Sequence, residues 1–234
     1  MAEFLYDRIP LLILLLIGTA FTFVWTMLMK DRLHFKWYAA APLALLHTVA
    51  GVASVMAFAR LENIGRTATP GLMSLFGAIF FLPLFYFLLA RLSKRKIADV
   101  FDIFTVSMAF TLLCARINCI LSGCCLGAFI SGTDGMRWPT RETELVFYVV
   151  ILTVLILRIR KKKNYGEIFP LYMVCYGAFR FVIEFFREPG AGAPLFGVLH
   201  VSHIWATLSV CLGLSIYYEI QRKHTKHMKG AKKK

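Results

Sequence analysis

No stretch of this 234-residue chain stays polar long enough to build a soluble domain, so one membrane-embedded bundle is expected. There is no internal repeat, which excludes a solenoid or array, and no low-complexity tract apart from a basic C-terminal tail. Inverted halves are absent and Gly or Pro interruptions of the apolar runs are few, which weighs against a small transporter. The first apolar run has no basic segment before it. It is therefore expected to be a retained helix rather than a cleaved signal peptide. Acidic residues are scarce, 13 against 27 Lys and Arg, for a net charge of +14. The tail QRKHTKHMKGAKKK has no aromatic platform for stacking bases, so nucleic acid is excluded as a partner; attraction to anionic headgroups is the better use of its charge.

Hydrocarbon is what the chain has in excess: 59% of its residues are hydrophobic and the mean hydropathy is +0.67. About 20 apolar residues cross a bilayer. Seven such windows are expected near residues 10–29, 38–59, 70–90, 98–121, 143–157, 165–186 and 199–219. Basic residues crowd alternate loops, at Lys30 to Lys36, Arg91 to Lys96, Arg158 to Lys163 and Arg222 to Lys234; the other loops hold only Arg8, Arg60, Arg66, Arg137, Arg141 and Arg187. By the positive-inside rule the N-terminus lies outside and the C-terminus inside. The expected fold is thus an all-α integral membrane protein of the cell membrane: seven transmembrane helices in one bundle over 1–221, then a basic cytoplasmic tail, 222–234.

Charges inside the apolar runs are the candidates for function, because intramembrane ionisable groups are costly and face the bundle interior. Tyr176, Arg180, Glu184 and Arg187 follow the i, i+4, i+8, i+11 series of one helical face, within a sheath of Phe179, Phe181, Val182, Ile183, Phe185 and Phe186. Arg180 and Glu184 can pair as i, i+4 neighbours, which would make the stripe either a packing device or an anion site whose guanidinium forks suit a phosphate. Arg116 falls in the fourth run, and Gly123 and Gly127 mark the opening of a close-packed loop. Pro139 and Thr140 look like the start of the fifth run, with Thr140 as its cap and Glu144 one turn in. All of these residues map to the outer half of the bundle.

These segments resemble the prolipoprotein diacylglyceryl transferases. YGAFRFVIEFFREP is similar to that family's Tyr-Gly-x-x-Arg-x-x-x-Glu-x-x-Arg stripe, which Pro follows. ARINCILSGCCLG resembles its Gly-Arg-x-x-Asn-x-x-x-Gly-Glu signature, with Arg116 and Gly123 in register and Gly127 matching a further glycine beyond it. WPTRETE resembles its His-Pro-Ser-x-x-x-Glu segment through Pro139, Thr140 and Glu144. The resemblance spans about residues 70–187. It implies transfer of a diacylglyceryl group from phosphatidylglycerol, an anionic donor, to the lipobox cysteine of a lipoprotein precursor or to another thiol acceptor, with no cofactor. It also implies catalytic roles for Arg116, Arg180, Glu184, Tyr176 and Glu144, and substrate contacts at Arg187, Gly123, Gly127 and Thr140. Four positions depart from the pattern: Leu75 stands for a histidine, Trp138 for the histidine before proline, and Cys119 and Cys124 for asparagine and glutamate. The cysteine-bearing form resembles a shorter branch of the family. The lost groups are those suited to proton transfer, so a lipid binder that keeps the arginine clamp without catalysis is the alternative.

Cys119, Cys124 and Cys125 admit a disulfide, a nucleophile or substrate contact beside Arg116, or a close helix approach. Cys175 and Cys211, inside apolar runs, read as small hydrophobes. No metal site is expected, since there is no second cysteine pair and no histidine at ligand spacing. His47 lies within the second run. His203, at the outer start of the seventh, is a candidate for the missing base.

Overall fold

The structure is a computed structural model. It describes residues 9–64, 73–131, 135–161, 166–188 and 199–231, with side chains to residue 225. Helices dominate: α1 (Ile9–Leu28), the short α2 (Lys30–Leu33), α3 (Ala40–Glu62) after a 3-10 turn, α4 (Phe76–Phe80), α5 (Leu82–Leu92), α6 (Ile97–Leu121), α7 (Thr140–Arg160), α8 (Ile168–Ile183) and α9 (Val201–Ala231). Among the described residues, five stretches are long and apolar enough to cross a membrane: Ile9–Leu28, Trp37–Glu62, Ile97–Leu121, Ile168–Phe186 and Val201–Thr225. The chain is a multi-pass membrane protein.

The other two expected spans differ from simple apolar rods. The third is interrupted at Phe81, because Pro83 in the first turn of α5 cannot donate to the preceding helix; residues 70–72 of that window lie outside the described residues. In α7 the central apolar segment is flanked by Glu142 and Glu144 at one end and Arg158 and Arg160 at the other. Helix α9 runs without a break past residue 221, so the tail begins as a continuation of the last helix.

Helix α6 is the axis of the bundle, buried around most of its circumference by Val100, Ile103, Phe104, Met108, Ala109 and Leu112. It packs against α1, α5, α7 and α8, while α9 lies along α8. His47 is a core residue whose ring stacks on Tyr86, with its Nδ1 3.5 Å from the Tyr86 hydroxyl.

Each end of α6 carries a charged centre. At its start, Asp99 accepts from Arg32 Nε at 2.7 Å and Asp102 from Arg32 Nη2 at 2.7 Å; Asp102 also takes the N–H groups of Gly166 at 2.7 Å and Ile168 at 3.0 Å. One fully buried carboxylate thereby ties α2, α6 and the entry to α8. The basic segments gather here too: Arg95 stacks over Phe35, and Gln221 of α9 donates to Glu167 at 2.6 Å. Removing one member of a buried pair costs about 3–5 kcal/mol. Asp102→Ala is therefore expected to lower the thermal midpoint in detergent by about 6–20 °C; a shift within error would show that these helices dock without the aspartate. Arg116, at the other end of α6, lies fourteen residues further on, about 21 Å along the axis.

Candidate functional site

Helix α8 keeps its apolar side against α9 and turns Tyr172, Tyr176 and Arg180 inward, one turn apart. Glu184 and Arg187 then leave the α-helical path. The helix ends at Ile183, Glu184–Phe186 form a 3-10 turn, and Arg187 is extended and bridged to Gly127. The expectation that one continuous helix carries Arg187 on its i+11 face is thus corrected. The extended backbone is what sends its guanidinium back toward the cluster, at 17% side-chain exposure, rather than out to the interface.

Glu144 is the hub. Only 2% exposed, it takes Arg116 Nε on Oε2 at 2.7 Å and both Arg180 Nη1 at 3.0 Å and Arg187 Nη1 at 3.1 Å on Oε1. Read as a first-turn acid answering a helix dipole, Glu144 would face water; instead it is the shared partner of three arginines from α6, α8 and the strand-like segment beyond it. Glu184 supports the same set, with Arg180 Nη2 at 2.7 Å as the expected i, i+4 pair and Arg187 Nε at 3.9 Å. Phe76 lies under the Arg180 guanidinium at 6.0 Å.

Beside the arginines lie the buried hydroxyls of Tyr148, Tyr172 and Tyr176; those of Tyr148 and Tyr172 face each other, and that of Tyr176 has no hydrogen-bond partner among the described residues. Tyr172 and Tyr176 stack at 5.8 Å, and Tyr148 is 6.4 Å from Tyr176. Buried hydroxyls are rarely left unpaired. Three of them next to three guanidinium groups form a lining suited to an oxyanion. Sequence reasoning missed Tyr148 and Tyr172, although the helical series Thr140, Glu144, Tyr148 and Tyr172, Tyr176, Arg180 carried the signal.

The loop after α6 closes this end. Gly123 follows the helix at φ +68, the left-handed conformation that glycine adopts without cost. At Gly127 a Cβ would lie 2.0 Å from the Trp138 carbonyl, so no side chain fits between the paired segments. Ala128 N–H donates to Phe186 O at 2.9 Å and Trp138 N–H to Ala128 O at 3.0 Å, stitching the three segments together. Thr140 does not cap α7, as had been expected: it is the first helical residue, and its buried hydroxyl has no partner among the described residues. Trp138, in place of a histidine, packs its ring on Phe186 at 4.9 Å.

Leu75 lines an apolar cavity with Leu15, Val52, Met108 and Leu112, whose walls include none of the arginines. His203 is buried, packed on Phe181 at 5.0 Å and Phe185 at 4.5 Å, and lies within electrostatic reach of Glu184. Its Nδ1 accepts the His200 N–H at 3.0 Å. In the neutral ring the proton then sits on Nε2, so His203 is set up as a donor. Glu62, at the end of α3, was not anticipated; it approaches Ser74, Arg180 and Glu184.

The six cysteines are free thiols, so of the readings open for Cys119, Cys124 and Cys125 the disulfide is not formed. Cys119 Sγ lies 4.0 Å from Arg116 Nη1 and 4.0 Å from Cys125 Sγ. Contact with the Cys119 thiol, aided by the Arg187 and Arg116 guanidinium groups, pulls the Cys125 thiol below its ordinary range.

Residues 14–218 match the model of a family described as prolipoprotein diacylglyceryl transferase. Among similar proteins, phosphatidylglycerol–prolipoprotein diacylglyceryl transferase of Sodalis glossinidius (strain morsitans) is 34% identical over 90 residues, 38% of this chain and 31% of that protein. The protein of the same name from Chlorobaculum tepidum is 26% identical over 168 residues, 67% of this chain and 55% of its own length. Phosphatidylglycerol–prolipoprotein diacylglyceryl transferase 2 of Clostridium perfringens is 25% identical over 153 residues, 60% and 59% of the two chains. The chain thus spans between about a third and three fifths of the length of these curated relatives.

Proposed function

The chain belongs to the prolipoprotein diacylglyceryl transferase family, and from that premise we propose that it moves a diacylglyceryl group from an anionic phospholipid of the phosphatidylglycerol type to the thiol of a lipoprotein precursor. The observation that carries this reading is the set of three arginines gathered on Glu144 and Glu184 beside buried tyrosine hydroxyls. Glu144 and Glu184 offset two of the three guanidinium charges, and Glu62, near Arg180, offsets the third for as long as it is a carboxylate.

In the reaction, the acceptor sulfur attacks the glyceryl carbon and a C–S bond forms as the C–O bond to phosphate breaks. Glycerol phosphate departs with the electron pair of that bond. Its second negative charge develops where Arg116, Arg180 and the tyrosine hydroxyls converge, so stabilisation grows toward the transition state. The acceptor thiol gives its proton to Glu62. As a carboxylate, Glu62 brings the cluster to neutrality; protonated, it restores the net positive charge just as the leaving phosphate gains its second negative one. The apolar cavity lined by Leu75 suits the donor's acyl chains. With the seven apolar segments alternating in direction and the basic loops at the opposite end, the site lies toward the outer leaflet of the cytoplasmic membrane, N-terminus out and C-terminus in.

The test is mass spectrometry of a lipobox peptide incubated with purified protein and phosphatidylglycerol. A diacylglyceryl mass gain is expected, with Arg180→Ala slowing its rate by about 10²–10³. Leu75 in place of the family's histidine favours the alternative of a silent lipid binder. Phosphatidylglycerol that co-purifies but is never turned over would establish that alternative.

A further inference from the structure

The turn that ends α6 does more than close the site. Gly123 at φ +68 and Cys125 at φ +58 both take the left-handed conformation, separated only by Cys124. For a residue with a side chain this costs on the order of 1–3 kcal/mol and persists only where the surroundings impose it. Here it folds Cys124 and Cys125 back toward Cys119 in the last turn of α6. The three sulfurs lie within 4.8 Å of one another. Spacing along the chain argued against a metal site; the double reversal supplies the convergence that spacing lacked.

Close helix packing does not account for the cluster, because Cys124 is exposed. A disulfide would use two sulfurs and leave the third idle. A thiophilic ion uses all three. At zinc–sulfur bonds of about 2.3 Å and tetrahedral angles, ligand sulfurs sit roughly 3.8 Å apart, against 4.0 Å here between Cys119 and Cys125. We propose that Cys119, Cys124 and Cys125 form a three-thiolate site for a soft d10 cation, Zn²⁺ or Cu⁺, with a further coordination position open to water.

The surroundings favour ligated thiolates. A divalent zinc ion with three thiolates carries one net negative charge, and Arg116 Nη1 stands 4.0 Å from Cys119 Sγ, placed to donate to a metal-bound sulfur. Arg187 also faces Cys125. Each thiol that ligates releases its proton to solvent, so binding weakens as pH falls. Hard cations such as Mg²⁺ prefer oxygen and are excluded by the donor set. An ion there would pin the loop whose Gly127 pairs with Arg187.

The experiment uses the full chain in detergent, reduced and then freed of reductant under anaerobic conditions. Zn²⁺ alone, Cu⁺ alone and Mg²⁺ alone are added in separate samples, and metal retained after desalting is measured per chain. One Zn²⁺ or Cu⁺ and no Mg²⁺ is expected, the zinc and copper arms deciding which ion binds more tightly. Cys119→Ser, Cys124→Ser and Cys125→Ser should each weaken binding at least about tenfold, whereas Cys211→Ser, on the lipid-facing side of α9, should bind as the parent does. Cobalt(II) bound to the unmodified protein should show thiolate charge-transfer absorption, a readout independent of how the variants fold. No retained ion with all thiols titratable, equal retention by a variant lacking all three cysteines, or a disulfide among them that forms in the presence of Zn²⁺ would each overturn the proposal.

Discussion

Glu144→Gln will carry more anionic phospholipid through purification than the parent protein and turn it over at less than about 1% of the parental rate. Loss of this carboxylate leaves Arg116, Arg180 and Arg187 with the carboxylates of Glu184 and Glu62 alone, one net positive charge in a buried site. Unpaired buried charge costs about 3–5 kcal/mol, and a bound phosphodiester is the nearest means of relieving it. Productive release of a dianionic phosphate suffers for the same reason. Thermal unfolding should therefore depend on lipid: with phosphatidylglycerol removed, the variant's midpoint should drop on the order of 10 °C. Phosphorus analysis and peptide mass spectrometry on the same preparation check both halves. Unchanged lipid content would mean that the arginines find other partners and that Glu144 does not set the charge of the site.

Glu62→Gln is expected to slow transfer by about 10²–10⁴, the range for a lost general base, while His203→Asn keeps turnover of the same order as the parent. The distinction rests on geometry. His203 Nδ1 is occupied by the His200 N–H, which leaves its proton on Nε2, facing away from the role of acceptor. Glu62 approaches Arg180 and Glu184 from α3, and the Ser74 hydroxyl that donates to its carboxylate leaves further acceptor positions open. The acid limb of the rate profile should vanish in Glu62→Gln and survive in His203→Asn. Parental rates in Glu62→Gln would return the assignment to His203, whose ring would then have to lose its contact with His200.

The helical stripe of Tyr176, Arg180 and Glu184 was legible because α-helical periodicity within one segment is a local property, and the Arg180 to Glu184 pair formed as the spacing required. Arg187 obeyed a different rule. The chain tightens at Glu184 and extends at Arg187 because its backbone pairs with a loop some sixty residues earlier, which no periodicity within α8 records. Glu144 looked ordinary for a similar reason: an acid near a helix start is common, and only the convergence of α6, α7 and α8 made it a hub. The buried Arg32, Asp99 and Asp102 centre also depends on chain segments far apart in sequence, including two backbone N–H groups at the start of α8.

Composition and local order by themselves determined that this chain lives in a membrane, that its elements are helices, that its positive charge lies on alternate loops and that its intramembrane arginines belong to a family signature. Those properties follow from hydrocarbon content and from spacing along one helix. The tertiary structure alone decided which carboxylate the arginines share, which tyrosine hydroxyls line the site and that Glu62 approaches it. Such convergences depend on crossing angles and kinks, which arise when helices pack against each other and which no single segment contains.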